Sequence, residues 1–196
     1  MTFYPHNFKL GQLIQTDVKG FQADACFGSH LTWDNPAAAA ANNVLAATAL
    51  DAGAITEVVA GITNPDVPRA LQIKGNQAGV AGNVVIDGTN INDEVIQETI
   101  AADEANAVEG VLAFKTVTKI TLPAQTAAGD TISVGCADKL GLPYLLPTNT
   151  VILAALNGAR EANAPTVATN TANLENNTID LASALNGTQV DVYLMV

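Results

Sequence analysis

The sequence predicts an all-β protein: an antiparallel β-sandwich or barrel-like core with an extended N-terminal arm and a small C-terminal β module. Three observations carry this. First, Leu112, Phe114, Ile120 and Leu122 share one parity and Lys115 and Lys119 the other, and Ile132, Val134 and Cys136 resume the inward parity after a turn-rich break at 124–130. Successive strand side chains point to opposite faces, so the stretch reads as two half-buried strands of an antiparallel sheet, joined like a hairpin. Second, clusters of Asn, Asp, Gly and Pro interrupt the chain about every ten residues, the rhythm of short strands in sandwiches and barrels. Third, the apolar content is 48% but the aromatic content only 5%. Ala, Thr, Asn, Val and Gly dominate the rest, and Thr and Val suit pleated, half-buried surfaces.

Residues 1–42 are expected to form the arm and a linker. The first 35 hold Phe3, Tyr4, Phe8, Phe21, Phe27 and Trp33 together with His6 and His30, and show no sustained period. Aromatic rings carry a large burial term and are enriched at interfaces, so this leader either packs on a partner or fills the core of its own domain. Pro36 and five following alanines suggest a short helix capped by Asp34 or Asn35, or else an extended linker, over 36–42.

The main sandwich is expected over 43–138. Strands near 43–50 and 54–62 flank Asp51-Ala-Gly53, which resembles a hairpin turn. Asn64-Pro-Asp-Val-Pro68 makes a bend that no helix crosses. Leu71 and Ile73 then alternate with Gln72 and Lys74. A strand over 79–86 should end in the turn Asp87-Gly-Thr-Asn90, and another over 94–101 places Gln97 and Glu98 at wet positions. The strands at 110–122 and 131–136 complete this unit.

The C-terminal module, 139–196, packs on or completes that core. Lys139-Leu-Gly-Leu-Pro143 reads as the junction. Apolar Val151–Leu156 precedes the turn pair Asn157-Gly158, and 159–177 reads as an exposed loop with one short strand near Thr166–Ala168. After Thr178–Leu181 and a turn at Asn186-Gly187, Val190, Val192, Leu194 and Val196 alternate with Asp191 and Tyr193. A strand of this kind at a chain end is usually tied into a sheet.

Groups able to do chemistry are sparse. Asp93-Glu94 and Asp103-Glu104 place carboxylates side by side, and neighbours on a strand face opposite ways, so neither makes the facing pair of a glycosidase. Gly75–Gly79 and Gly79–Gly82 lack the Lys-Ser/Thr sequel and helix N-terminus of a phosphate loop. Ser29-His30, with Asp24 or Asp34 nearby, has the residue types of a nucleophilic triad but no strained elbow around Ser29. Asp87–Asp93 faintly resembles a calcium loop, yet the bidentate Glu is out of place, and a hairpin turn explains the same residues. No catalytic, cofactor-binding or metal-ligating residue is assigned, and no cofactor is expected.

The net charge is −11, from 19 acids and 8 bases. A surface of that sign repels phosphate backbones and disfavours nucleic acid as a partner. No run approaches the length of a membrane-spanning helix, and the first ten residues do not read as a secretory signal, so a soluble chain is expected. Cys26 and Cys136 stand in no metal-binding spacing, and a reducing compartment disfavours a disulfide between them. Cys136 continues the inward parity and reads as a small buried hydrophobe.

The order ITNPDVPRALQIKGN (62–76), GVAGNVVIDGTN (79–90) and FKTVTKITLPAQTAAGDTISVGCADKLGLP (114–143), with NTIDLASALNGTQVDVYLMV (177–196), resembles a family of tailed-bacteriophage virion proteins known as head decoration, cement or head-fibre proteins. The resemblance covers about residues 55–196. It implies a non-enzymatic protein made in the host cytoplasm that binds the outside of the assembled shell. Its implied partners are the major capsid protein and neighbouring copies of itself, as a homotrimer. The alternative within the particle is a tail or fibre component that adheres to a host surface. The competitor from another class, a polysaccharide hydrolase, needs aromatic platforms, and after residue 35 only Phe114, Tyr144 and Tyr193 are offered.

Overall fold

A computed structural model describes residues 12–196, so Phe3, Tyr4, His6 and Phe8 of the expected arm lie outside the described residues. Strands β1 (Gln12–Gln15) and β2 (Gln22–Ala25) form a two-stranded antiparallel hairpin. β3 (Gly28–Trp33) and β4 (Ala40–Ala49) follow, then β5 (Thr56–Val58), β6 (Arg69–Gly75) and β7 (Ala81–Thr89). β8 (Val95–Asp103), β9 (Ala107–Phe114), β10 (Thr116–Leu122) and β11 (Thr131–Gly141) complete the main unit. The remainder is β12 (Val151–Leu156), β13 (Ala159–Arg160), β14 (Thr166–Ala168), a 3-10 turn at Leu174–Asn176, β15 (Thr178–Asp180) and β16 (Val190–Met195). The fold is all-β, as the alternation and turn spacing predict.

Two cores organise it. In the first, a sheet of order β5-β10-β7-β8 faces a sheet of order β14-β15-β11-β6-β9 to which β4 also pairs. Leu71 and Ile73 from β6, Val84 and Ile86 from β7, Phe114 and Ile120 close over Ile132, Val134 and Cys136 of β11. The second core lies against the sheet β13-β12-β16-β3, where Trp33, Ala154, Val190, Val192 and Leu194 meet Leu140, Leu142 and Ile179. One strand serves both. β11 gives residues up to Cys136 to the first core and Leu140 to the second, with a register shift between Cys136 and Leu140 against β6. The expected junction at 139–143 therefore begins within a continuous strand.

Several expectations need correction. The alternating stretch 112–136 is not a hairpin, because β10 pairs with β5 and β7 whereas β11 pairs with β4, β6 and β15. The loop between β10 and β11 carries the chain from one sheet to the other, so their apolar faces meet across the core. Nor is 110–122 one strand. It breaks at Lys115, whose N–H turns to the Thr89 carbonyl (2.8 Å), and the chain again changes sheet there. β4 and β5 likewise lie in different sheets, so Asp51–Gly53 is not a hairpin turn. The turn after β7 falls at Asn90–Glu94, because β7 and β8 stay paired out to Thr89↔Val95.

The stretch 36–42 is extended and enters β4 at Ala40; the Ala37 and Ala39 N–H groups donate to Asp66 and Asp138 carboxylates in place of helical carbonyls. Residues 28–33, read from sequence as arm, form β3, which pairs along β16 and buries Trp33 in the second core. The described arm thus narrows to 12–27. Glu98 is not wet: it is 8% exposed.

Candidate functional site

The outer face of the sheet β13-β12-β16-β3 gathers polar and aromatic groups that the cores do not use. On β3, the inward parity takes Leu31 and Trp33, so His30 and Thr32 point outward. On β16, Val190, Val192 and Leu194 turn inward, so Asp191 and Tyr193 share the outer face. The register Tyr193↔His30 and Asp191↔Thr32 sets the four side chains beside one another. His30 Nε2 lies 2.8 Å from Asp191 Oδ1, and the His30 ring stacks on Tyr193 with centroids 4.2 Å apart and planes 3° from parallel. The Thr32 hydroxyl donates to Asp191 Oδ1 (3.1 Å), and the Gln189 amide donates to both carboxylate oxygens (3.0 Å each).

These donors hold the Asp191 carboxyl below the usual carboxylate range, the Gln189 amide most and then His30. Asp191 is thereby a fixed anion at the base of an exposed two-ring platform. The arrangement is not a nucleophilic relay. Thr32 Oγ1 (3.3 Å) and Asp191 both approach the same ring nitrogen of His30, whereas a relay needs hydroxyl and carboxylate on opposite nitrogens. The Ser29 hydroxyl is on the other face, 2.9 Å from the Tyr144 hydroxyl. The proposed partners change accordingly: His30 meets Asp191, no contact joins it to Asp34, and the side chain of Asp24 lies outside the described part. Alternation over 190–196 contained the signal for Asp191 and Tyr193; their meeting with His30, across 161 residues in one case, did not show in it.

The other polar clusters serve the fold. Asn90, fully buried, accepts the Asn92 and Glu94 N–H groups and donates to Glu94 and Glu175, so the resembling segment is the end of β7, Asp87–Thr89, followed by a hairpin turn at Asn90–Glu94 that Asn90 holds. Among the described residues, no group of three or more His, Cys, Asp or Glu is placed to hold a metal ion. Cys136 is buried and free, its thiol pushed up by desolvation, and Cys26 is exposed and free. A groove of about 370 Å³ runs past Val111, Lys139, Asn170, Thr178 and Asp180. Lys139 is committed there to Glu109 at 2.7 Å, and burial, then Glu109, push the Asp180 carboxyl up.

The hairpin β1–β2 is a second exposed feature. Its main packing partner is its own second strand, and Leu13, Val18 and Phe21 around it are 63%, 65% and 63% exposed. At its base Phe27 exchanges backbone hydrogen bonds with Val196 (2.9 Å each way), which anchors the hairpin to the end of β16. No helix of the described chain is long and apolar enough to cross a membrane. No family model, no curated protein and no solved structure matches this chain.

Proposed function

We propose that this protein is a non-enzymatic structural component of a tailed-phage virion, held on the outside of the capsid, where it decorates or stabilises the shell. The hairpin carries the reading. An isolated two-stranded hairpin is marginal in water, and one with three large apolar side chains in solvent gains stability when another surface covers it. It is anchored through Phe27 to the end of β16, a strand of the second core. The resemblance of the 55–196 sequence to head decoration and cement proteins supports the major capsid protein as that surface, with neighbouring copies in a homotrimer. Many copies on one shell make weak single contacts durable.

The test is removal of residues 1–27 followed by sedimentation with capsids lacking the protein. Occupancy should fall while the circular dichroism of the body is kept; unchanged occupancy would overturn the role of the hairpin. One observation favours a second reading, a tail or fibre component that adheres to the host. The exposed His30–Tyr193 pair, flanked by Thr32 and Gln189, offers a flat ring surface with hydrogen-bonding neighbours. A pull-down on host cells with Tyr193→Ala as control separates the two readings: retention lost in the variant supports adhesion, and no retention by either protein leaves the capsid role.

A further inference from the structure

Asparagine followed by glycine occurs twice, at Asn157-Gly158 and Asn186-Gly187. This pair is the most prone to cyclise, because glycine has no Cβ to shield its own backbone nitrogen. The two copies sit in opposite circumstances. Asn157 and Gly158 form the exposed two-residue turn between β12 and β13, with Leu156 paired to Ala159 and φ of 53° and 73°. Asn157 donates its own N–H to the Gln189 carbonyl (2.8 Å), but its carboxamide makes no hydrogen bond and the Gly158 N–H meets no acceptor among the described residues. At the second copy the Gly187 N–H donates to the Pro36 carbonyl (3.0 Å). Asn186 Oδ1 accepts both the Thr188 N–H (3.2 Å) and the Thr188 hydroxyl (2.5 Å).

We propose that Asn157 is a site of spontaneous deamidation and isoaspartate formation in the folded protein, and that the fold protects Asn186 from the same reaction. Solvent base removes the Gly158 amide proton, and the nitrogen attacks Asn157 Cγ. The new N–Cγ bond forms as Cγ–Nδ2 breaks, and ammonia leaves with a proton from water. Water then adds to either carbonyl of the cyclic imide and opens it to aspartate or isoaspartate, with no change of oxidation state. At Asn186 the nucleophile is engaged by Pro36, and the electrophilic carboxamide is held by Thr188. Reaction there must wait for local opening.

The product matters to the turn. Isoaspartate lengthens the main chain by one methylene inside a two-residue loop, which disturbs the Ala155↔Arg160 and Leu156↔Ala159 pairing of β13. Each event also adds a carboxylate to a chain already at −11.

The experiment is incubation of the full chain in mildly alkaline buffer, with peptide mapping by mass spectrometry and enzymatic methyl labelling of isoaspartate. A parallel sample is held unfolded in urea. In the folded protein the Asn157 peptide should convert and carry the label, while Asn186 converts at least about tenfold more slowly than it does in urea. Asn157→Gln should abolish the label in the folded protein without changing its sedimentation. Conversion of Asn186 as fast as Asn157 in the folded chain, or none at Asn157, would overturn the proposal.

Discussion

The Glu98 carboxylate on β8 accepts the backbone N–H of Val111 on β9 at 2.6 Å, joining two strands that belong to different sheets. The same oxygen takes the Leu112 N–H at 3.3 Å. Both amides lie where the β6–β9 register slips, between Ala113 and Glu109, so the ladder does not serve them there. A carboxylate thus stands in for a strand at the open side of the sandwich. Gly110 makes room for it, since a Cβ there would collide with the Glu98 carboxyl.

Replacing Glu98 with Ala is expected to cost about 2–4 kcal/mol, because two partly buried donors lose their acceptor. Urea unfolding measures it, and a loss below about 0.5 kcal/mol would show that water serves these amides equally well. The charge itself works the other way. Burial raises the Glu98 pKa above 4.5, and the Val111 N–H only partly offsets it. Folding therefore disfavours the ionised form. This group's contribution is greatest below pH 4.5 and declines as pH rises through its folded value.

Asp130 has the opposite pH signature. Its carboxylate accepts the Ala127 N–H (2.8 Å), the Thr126 hydroxyl (2.7 Å) and the Gln77 amide (2.7 Å), and these pull its pKa down to about 2. It closes the loop that carries the chain from β10 to β11. The unfolded pKa is near 3.8, so the stabilisation is present above that value and is lost as pH falls toward 2. Asp130→Asn should lower Tm at neutral pH, and the gap from the wild type should close across that acidic window. A gap independent of pH would assign the effect to packing instead.

Arg69 pairs on β6 with Leu140 of the second core on one side and Phe114 of the first on the other. It is fully buried and donates to the carbonyls of Ala137 (2.7 Å) and Ala37 (2.8 Å) and to Asp66 (3.2 Å), with Asp138 at 3.5 Å. Asp66 and Asp138 in turn hold the Ala37 and Ala39 N–H groups, so one guanidinium fixes the segment between β3 and β4. Arg69→Ala strands two carbonyls and two carboxylates and should cost about 3 kcal/mol or more. Amide exchange at Ala37 and Ala39 should accelerate ahead of the core amides; uniform exchange throughout would mean that Arg69 does not fix this segment.

Local patterns were legible and long-range ones were not. The turn at Asn157-Gly158 could be read directly, because two adjacent residues with positive φ specify it. Ile132, Val134 and Cys136 face the first core as their shared parity predicts, since one strand settles its own alternation. The sequence reads Glu98 as wet because its charge is visible there and its partners, 13 and 14 residues away, are not. The break at Lys115 was hidden for a related reason. Alternation resumes on both sides of it, and only the pairing of each half with a distant strand reveals the change of sheet. The outer-face cluster depends on β3 meeting β16, the first and last strands of the body, which no short window contains.

Gly135 tests how closely β4 lies on β11. The register between them shifts between Ile132 and Val134 and again between Val134 and Cys136, the step that spans Gly135, and a Cβ there would overlap the Ala40 carbonyl oxygen and crowd the Ala41 backbone. Backbone cannot swing aside as a long side chain can, so relief requires β4 to move as a unit. That movement would break the Cys136 N–H bond to Asn43 Oδ1 (2.8 Å) and lift Val44 and Leu45 from the first core. Gly135→Ala is therefore expected to cost about 3 kcal/mol or more, at the upper end of overpacking effects. Gly28→Ala is the matched control, since nothing lies within 4 Å of a Cβ built there. Urea midpoints for the pair should differ widely, with the control near wild type. Equal midpoints would mean that β4 yields without loss, and that its pairing with β11 contributes little to the sandwich.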